Sequence, residues 1–97
     1  METADYQLTP EEIQSLEDKY LFPTYKRSAL FCSHGSGVYL YDLSGKRYLD
    51  FLAGISVNSL GYNHPRLVRV LVEQGQRLIH SSNLFYNPFQ GLLAKRL

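Results

Sequence analysis

Residues 48–68, YLDFLAGISVNSLGYNHPRLV, constrain the fold more than any other stretch of the chain. Tyr48, Leu49, Phe51 and Leu52 open it as a buried strand would. Gly54, Asn58, Gly61, Asn63 and the His64-Pro65 step then break the pattern before an apolar helical period resumes at Leu67 and Val68. Glycine admits backbone conformations that other residues avoid, and proline removes a backbone donor. No single strand or helix runs through such a stretch. It is either a packed structural linker or the edge of a site.

The elements on either side are well patterned. GVYLYDLSGKRYLDFL reads as a β-hairpin over 38–52: Val38 and Leu40 alternate with Tyr39 and Tyr41, the period of a strand. Asp42 opens a type I turn there and Gly45 suits a positive φ. After the irregular loop 53–64, a helix is expected over 65–79, starting at Pro65. Leu67, Leu71 and Leu78 lie on one line of it and Val68, Val72 and Ile79 beside them, a broad apolar face; Gly75 is its weak point. A loop over 80–87 leads into a further helix over 88–97, with Asn87 as its cap. Upstream, a helix is expected over 9–21. Thr9 and Glu12 form a capping box, Pro10 suits the first helical position, and Ile13, Leu16 and Tyr20 make a narrow apolar stripe. Pro23 ends it, and residues 22–37 read as an extended arm with a turn at Gly35-Ser36-Gly37. The segment as a whole is of α+β character.

Composition removes several functions. With 97 residues the chain fits one small domain at most, and 44% hydrophobic with 20% charged residues is a globular balance. A net charge of +1 gives no field toward nucleic acid or anionic membrane, and Arg66, Arg69 and Arg77 are diluted by apolar neighbours. The single cysteine, Cys32, excludes an internal disulfide and fits a reducing compartment. METADYQLTPEE has neither the basic nor the apolar region of a signal peptide, so the expected location is the cytoplasm. Eight tyrosines and five phenylalanines point to an interface or pocket wall as well as to packing, because a buried tyrosine needs a partner for its hydroxyl.

No local motif assigns a catalytic residue. HGSG around Ser36 lacks the third glycine of a dinucleotide fingerprint, which falls on Leu40, and it leads into a strand where the fingerprint requires a helix. His34, His64, His80 and Cys32 match no compact zinc spacing. Asp42 and Asp50 flank the hairpin, with Asp42 placed as a turn former. The last helix stops on Leu97 without glycine, proline or polar tail, which reads as a piece of a longer protein, or else as a short chain whose end frays.

The order of the runs goes further. TYKRSALF, GSGVYLYDLSGKRYLDFLAGISVNSLGYNHPRLV and HSSNLFYNPFQGLLAKRL, over residues 24–97, resemble the opening part of the class III aminotransferases, and within them the branch acting on N-acetylornithine. Tyr62 departs from the family, which usually carries histidine there. The resemblance implies the fold type I of pyridoxal-phosphate enzymes, α/β overall. It implies a homodimer that moves an amino group between N-acetylornithine and 2-oxoglutarate in arginine biosynthesis, with pyridoxal 5'-phosphate as cofactor of the full-length enzyme. It places the hairpin and following loop at the mouth of the active site. Ile55 then faces the substrate side chain, with Gly54 beside it letting backbone approach a ligand, and Tyr25 contacts the substrate's polar head. Ser81, Ser82 and Asn83 match a loop near the active site and the dimer interface. The lysine that holds the cofactor comes from later parts of the family chain, since Lys19, Lys26, Lys46 and Lys95 fall elsewhere. These 97 residues alone are therefore expected to be inactive. Ornithine- or 4-aminobutyrate-type ω-aminotransferases, and a non-catalytic partner-binding domain, are the alternatives.

Overall fold

The computed structural model describes residues 7–97. The chain divides into two compact units, one running to Asn63 and the other from His64 to Leu97.

The first unit opens with helix α1, Pro10–Tyr20. Its capping box forms: Thr9 Oγ1 accepts the Glu12 amide at 3.2 Å, and Glu12 Oε2 accepts the Thr9 amide at 2.8 Å. The first turn of the helix thereby satisfies donors that have no intrahelical partner. An exposed ion pair, Arg27 to Glu17 at 3.2 Å, ties the following arm back to the helix.

The arm differs from the sequence expectation. It contains a strand, β1 (Cys32–Ser36), antiparallel to β2 (Tyr39–Asp42), which pairs in turn with β3 (Arg47–Leu49). The hairpin thus supplies the central strand and one edge strand of a three-stranded sheet in the order β1-β2-β3. CSHGS carries no apolar alternation, so period-two reading passes over it. Its place is set by tertiary contacts: the His34 ring stacks on Tyr41 with centroids 4.5 Å apart, and Gly35 lies under another aromatic ring. The register shifts between Cys32 and His34, as a bulge does.

The β2–β3 turn is built on Asp42. Its Oδ1 accepts the Ser44 amide at 2.9 Å, the Ser44 hydroxyl at 2.7 Å and the Lys46 amide at 3.0 Å, while Oδ2 accepts the Tyr48 hydroxyl at 2.9 Å. Gly45 takes the positive φ of 84° that closes the turn.

In the second unit, α3 runs Pro65–Gly75, four residues short of the 65–79 expected from its apolar period. Glycine leaves the helix with too little conformational preference to continue, and the Gln74 side chain caps the exit by donating to the Leu78 carbonyl at 2.8 Å. Helix α4 spans Pro88–Arg96, where Asn87 Oδ1 accepts the amides of Phe89 and Gln90 at 3.0 and 3.1 Å. No apolar side chain is fully buried among the described residues.

Candidate functional site

The irregular loop after β3 carries the most unusual backbone of the chain. Its short helix, α2 (Ala53–Ser56), is a left-handed turn: φ is 50° at Ala53, 62° at Gly54, 62° at Ile55 and 62° at Ser56. Only glycine visits this region freely, and a β-branched residue there is an outlier. Each non-glycine residue so held costs roughly 1–2 kcal/mol. Ile55 nonetheless projects outward, 79% exposed, so its own burial does not offset the strain.

Hydrogen bonds hold the turn instead. The amides of Ile55 and Ser56 donate to the Leu52 carbonyl at 2.9 and 3.1 Å, and those of Val57 and Asn58 donate to the Ala53 carbonyl at 2.8 and 2.9 Å. Asp50 stands at its entrance, where Oδ1 accepts the amides of Leu52 and Ala53 at 2.8 and 3.0 Å and Oδ2 accepts the Tyr62 hydroxyl. The Tyr62 hydroxyl and the Ala53 and Leu52 amides together hold the Asp50 carboxyl below its ordinary range. The same bond to Asp50 pushes the Tyr62 phenol above its ordinary value.

Tyr62 is itself fixed to the sheet. It forms an isolated bridge with Gly37, the Gly37 amide donating at 3.0 Å and the Tyr62 amide returning a bond at 2.8 Å. A Cβ on Gly35 would overlap the Tyr62 ring, so glycine is required there for close approach. Asn63 Nδ2 donates to the Gly35 carbonyl. The irregular loop is thus closed on the strands at both ends. The sequence pointed to Gly54 and Ile55 only through family resemblance and gave Asp50 and Tyr62 no role.

The remaining candidates each line a cavity within their own unit. Tyr25, 77% exposed, lines a cavity of about 460 Å³ with Ile13, Glu17, Arg27 and Phe31; Gly54 and Ile55 do not line it. In the second unit, Ser81, Ser82 and Asn83 line a cavity of about 520 Å³ with Gln74, Arg77 and His80. Ser82 sits at φ 70°, and its Oγ accepts the Leu84 amide at 3.3 Å.

The chain has four lysines, the residue type that holds pyridoxal phosphate covalently. Lys19 lies in α1 with its ammonium over the Tyr20 ring, Lys26 in the arm, Lys46 at the β2–β3 turn over Tyr48, and Lys95 in the last turn of α4. None of the four is ion-paired with a carboxylate among the described residues.

Comparison with known proteins is consistent over most of the chain. Residues 21–97 match the family described as "Aminotransferase class-III". A curated acetylornithine aminotransferase of Methanothermobacter thermautotrophicus is 46% identical over 87 residues, which is 90% of this chain and 22% of that protein. One from Aquifex aeolicus is 51% identical over 78 residues, 80% of this chain and 21% of that protein. Among solved structures, an acetylornithine aminotransferase from Elizabethkingia anophelis superposes with a TM-score of 0.84 at 34% identity, over 92% of this chain and 23% of that one. An ornithine aminotransferase from Toxoplasma gondii gives 0.83 at 32% identity, over 91% of this chain and 21% of that one. The chain therefore spans about a fifth of the length of these relatives.

Proposed function

The chain belongs to the class-III aminotransferases, and from that premise we propose that it forms the substrate entrance of an enzyme exchanging an amino group between N-acetylornithine and 2-oxoglutarate. The observation that carries this reading is Ile55: a β-branched apolar side chain, held at φ 62° and ψ 58° and left exposed. Strain of this kind persists where the surroundings enforce it, and it clusters at ligand-binding sites. An aliphatic wall suits an acylated side chain, because it offers no hydrogen bond and leaves room beside Gly54. Tyr25 stands as the contact for the substrate's polar head. Ser81, Ser82 and Asn83 stand as the loop near the active site and the interface of a homodimer. The cytoplasm is the expected compartment, and among the described residues no helix is long and apolar enough to cross a membrane.

When bound, pyridoxal 5'-phosphate supplies an electron sink for removing the α-proton of the amine. On this reading the lysine it requires is expected outside these residues. Borohydride reduction of the 97-residue chain after mixing with pyridoxal phosphate is therefore expected to give no stoichiometric label; one labelled lysine contradicts this.

The direct test is Ile55→Tyr in the full-length enzyme. The wall faces only the longer amine, so kcat/KM for N-acetylornithine falls by about 10- to 200-fold and that for 2-oxoglutarate much less. Equal losses on both substrates overturn the assignment of Ile55. An enzyme that prefers ornithine or 4-aminobutyrate moves the reading to the ω-amine branch, in which Tyr25 would carry the contact to the free polar head.

A further inference from the structure

We propose that Asp50 and Tyr62 are positioning residues for the amine-side wall: Asp50 fills the anion-binding hollow at the start of the left-handed turn, Tyr62 anchors it to the sheet, and together they hold Ile55 in place. The role assigned to Ile55 rests on the function proposed above; the lock itself rests on geometry alone.

Leu52 is right-handed, at φ −87° and ψ −36°, and Ala53 is left-handed, at φ 50°. That alternation turns successive amides toward one point and makes a concavity for an anion. Asp50 Oδ1 occupies it, at 2.8 Å from the Leu52 nitrogen and 3.0 Å from that of Ala53. An ionised acceptor makes these bonds stronger than a neutral one would. The carboxylate thus compensates, at its first residue, a turn whose other non-glycine members are unfavourable by their own backbone preference.

The carboxylate is not free to drift. The amide of Asp50 donates to the Val38 carbonyl at 2.9 Å, which fixes its backbone to the sheet. Its second oxygen takes the Tyr62 hydroxyl. Tyr62 is in turn held by both backbone bonds to Gly37 and by the close seat its ring finds on Gly35. The path from the strands to Ile55 therefore runs through these two side chains. Removing the charge leaves the Leu52 and Ala53 amides a weaker, neutral acceptor. The turn then relaxes toward the right-handed basin and the Ile55 side chain swings out of register.

The test is kinetic and spectroscopic, on the full-length enzyme carrying Asp50→Asn, Tyr62→Phe or both. Misplacing a wall residue by about 1 Å is enough to cost one to two orders of magnitude. Asp50→Asn is expected to raise KM for the amine about tenfold, while KM for the 2-oxo acid and kcat stay within about twofold. Tyr62→Phe gives a smaller shift of the same kind. The double variant resembles Asp50→Asn alone, because both changes act on one shared bond. Amide hydrogen exchange reads the lock without activity: protection at Leu52 and Ala53 falls in Asp50→Asn and is kept in Ile55→Val. Should Asp50→Asn fail to fold, Tyr62→Phe removes a single hydroxyl and applies the same two readouts. Unchanged exchange at Leu52 and Ala53, or an equal rise of KM for both substrates, overturns the proposal. An enzyme that turns over no amine at all overturns the proposed function, and the exchange experiment then still decides the lock.

Discussion

Tyr62 and Asp50 share one hydrogen bond, and each shifts the other's titration. The folded-state pKa of Asp50 is depressed, chiefly by the Tyr62 hydroxyl, so its contribution to stability is present above the ordinary carboxylate value of about 3.9. That contribution is lost as pH falls through the lower folded value. The folded-state pKa of Tyr62 is raised, chiefly by the bond to Asp50, so its contribution is present below about pH 10. It is lost as pH rises through the still higher folded value. The lock is therefore complete across the whole physiological range. Tyrosine-ring carbon shifts followed by NMR are expected to show Tyr62 ionising at a higher pH than in the Asp50→Asn variant. A Tyr62 titration that does not move on that substitution contradicts the bond. Asp42 shows the same economy at the other end of β2, where the Ser44 hydroxyl leads the groups that hold its carboxyl below the ordinary range.

Among the elements, the left-handed turn Ala53–Ser56 is where local preference and tertiary structure disagree most. Ile55→Gly is expected to stabilise the full-length enzyme by about 1 kcal/mol, because it removes the cost of holding a β-branched residue left-handed and adds back only glycine's own chain entropy. On the role proposed for Ile55, the same change erases the wall, and selectivity for N-acetylornithine over shorter amines is expected to fall as stability rises. Thermal unfolding and kcat/KM measured on one preparation check both halves, and a loss of stability contradicts the strain. This turn is also where the sequence was least informative. AGIS holds one glycine and nothing in it demands four left-handed residues; the conformation is imposed by Asp50 before it and by Tyr62 from the bridge to Gly37. Strand β1 was missed for a related reason, since Cys32–Ser36 is placed by His34 on Tyr41 and by the space over Gly35. The caps were legible because they are local. Thr9 with Glu12, Asn87 before Pro88 and Gly45 after Asp42 each satisfy backbone groups within a few residues of themselves.

For the whole molecule, exposed apolar surface decides how these elements persist. Among the described residues none forms a buried apolar core, and the large side chains stand open: Phe51 is 91% exposed, Leu71 64% and Ile79 86%. Each one left in water forgoes roughly 1.5–3 kcal/mol of burial. A folded domain is stable by only about 5–15 kcal/mol in total, so a few such losses cancel it. Capping boxes, turns and the Asp50–Tyr62 lock shape the elements but do not replace that burial. As the proposed entrance of a larger aminotransferase, these residues would have such apolar faces covered by the rest of that enzyme; a self-standing binding module would have to be stable with them exposed. Urea unfolding of the isolated 97-residue chain, read by circular dichroism on material sized by chromatography, tests this most directly. The predicted result is a self-associated or molten species that loses structure without a cooperative step. A sharp monomer peak with a single transition, and an m-value of about 1 kcal/mol/M or more as full burial at this size requires, would contradict it.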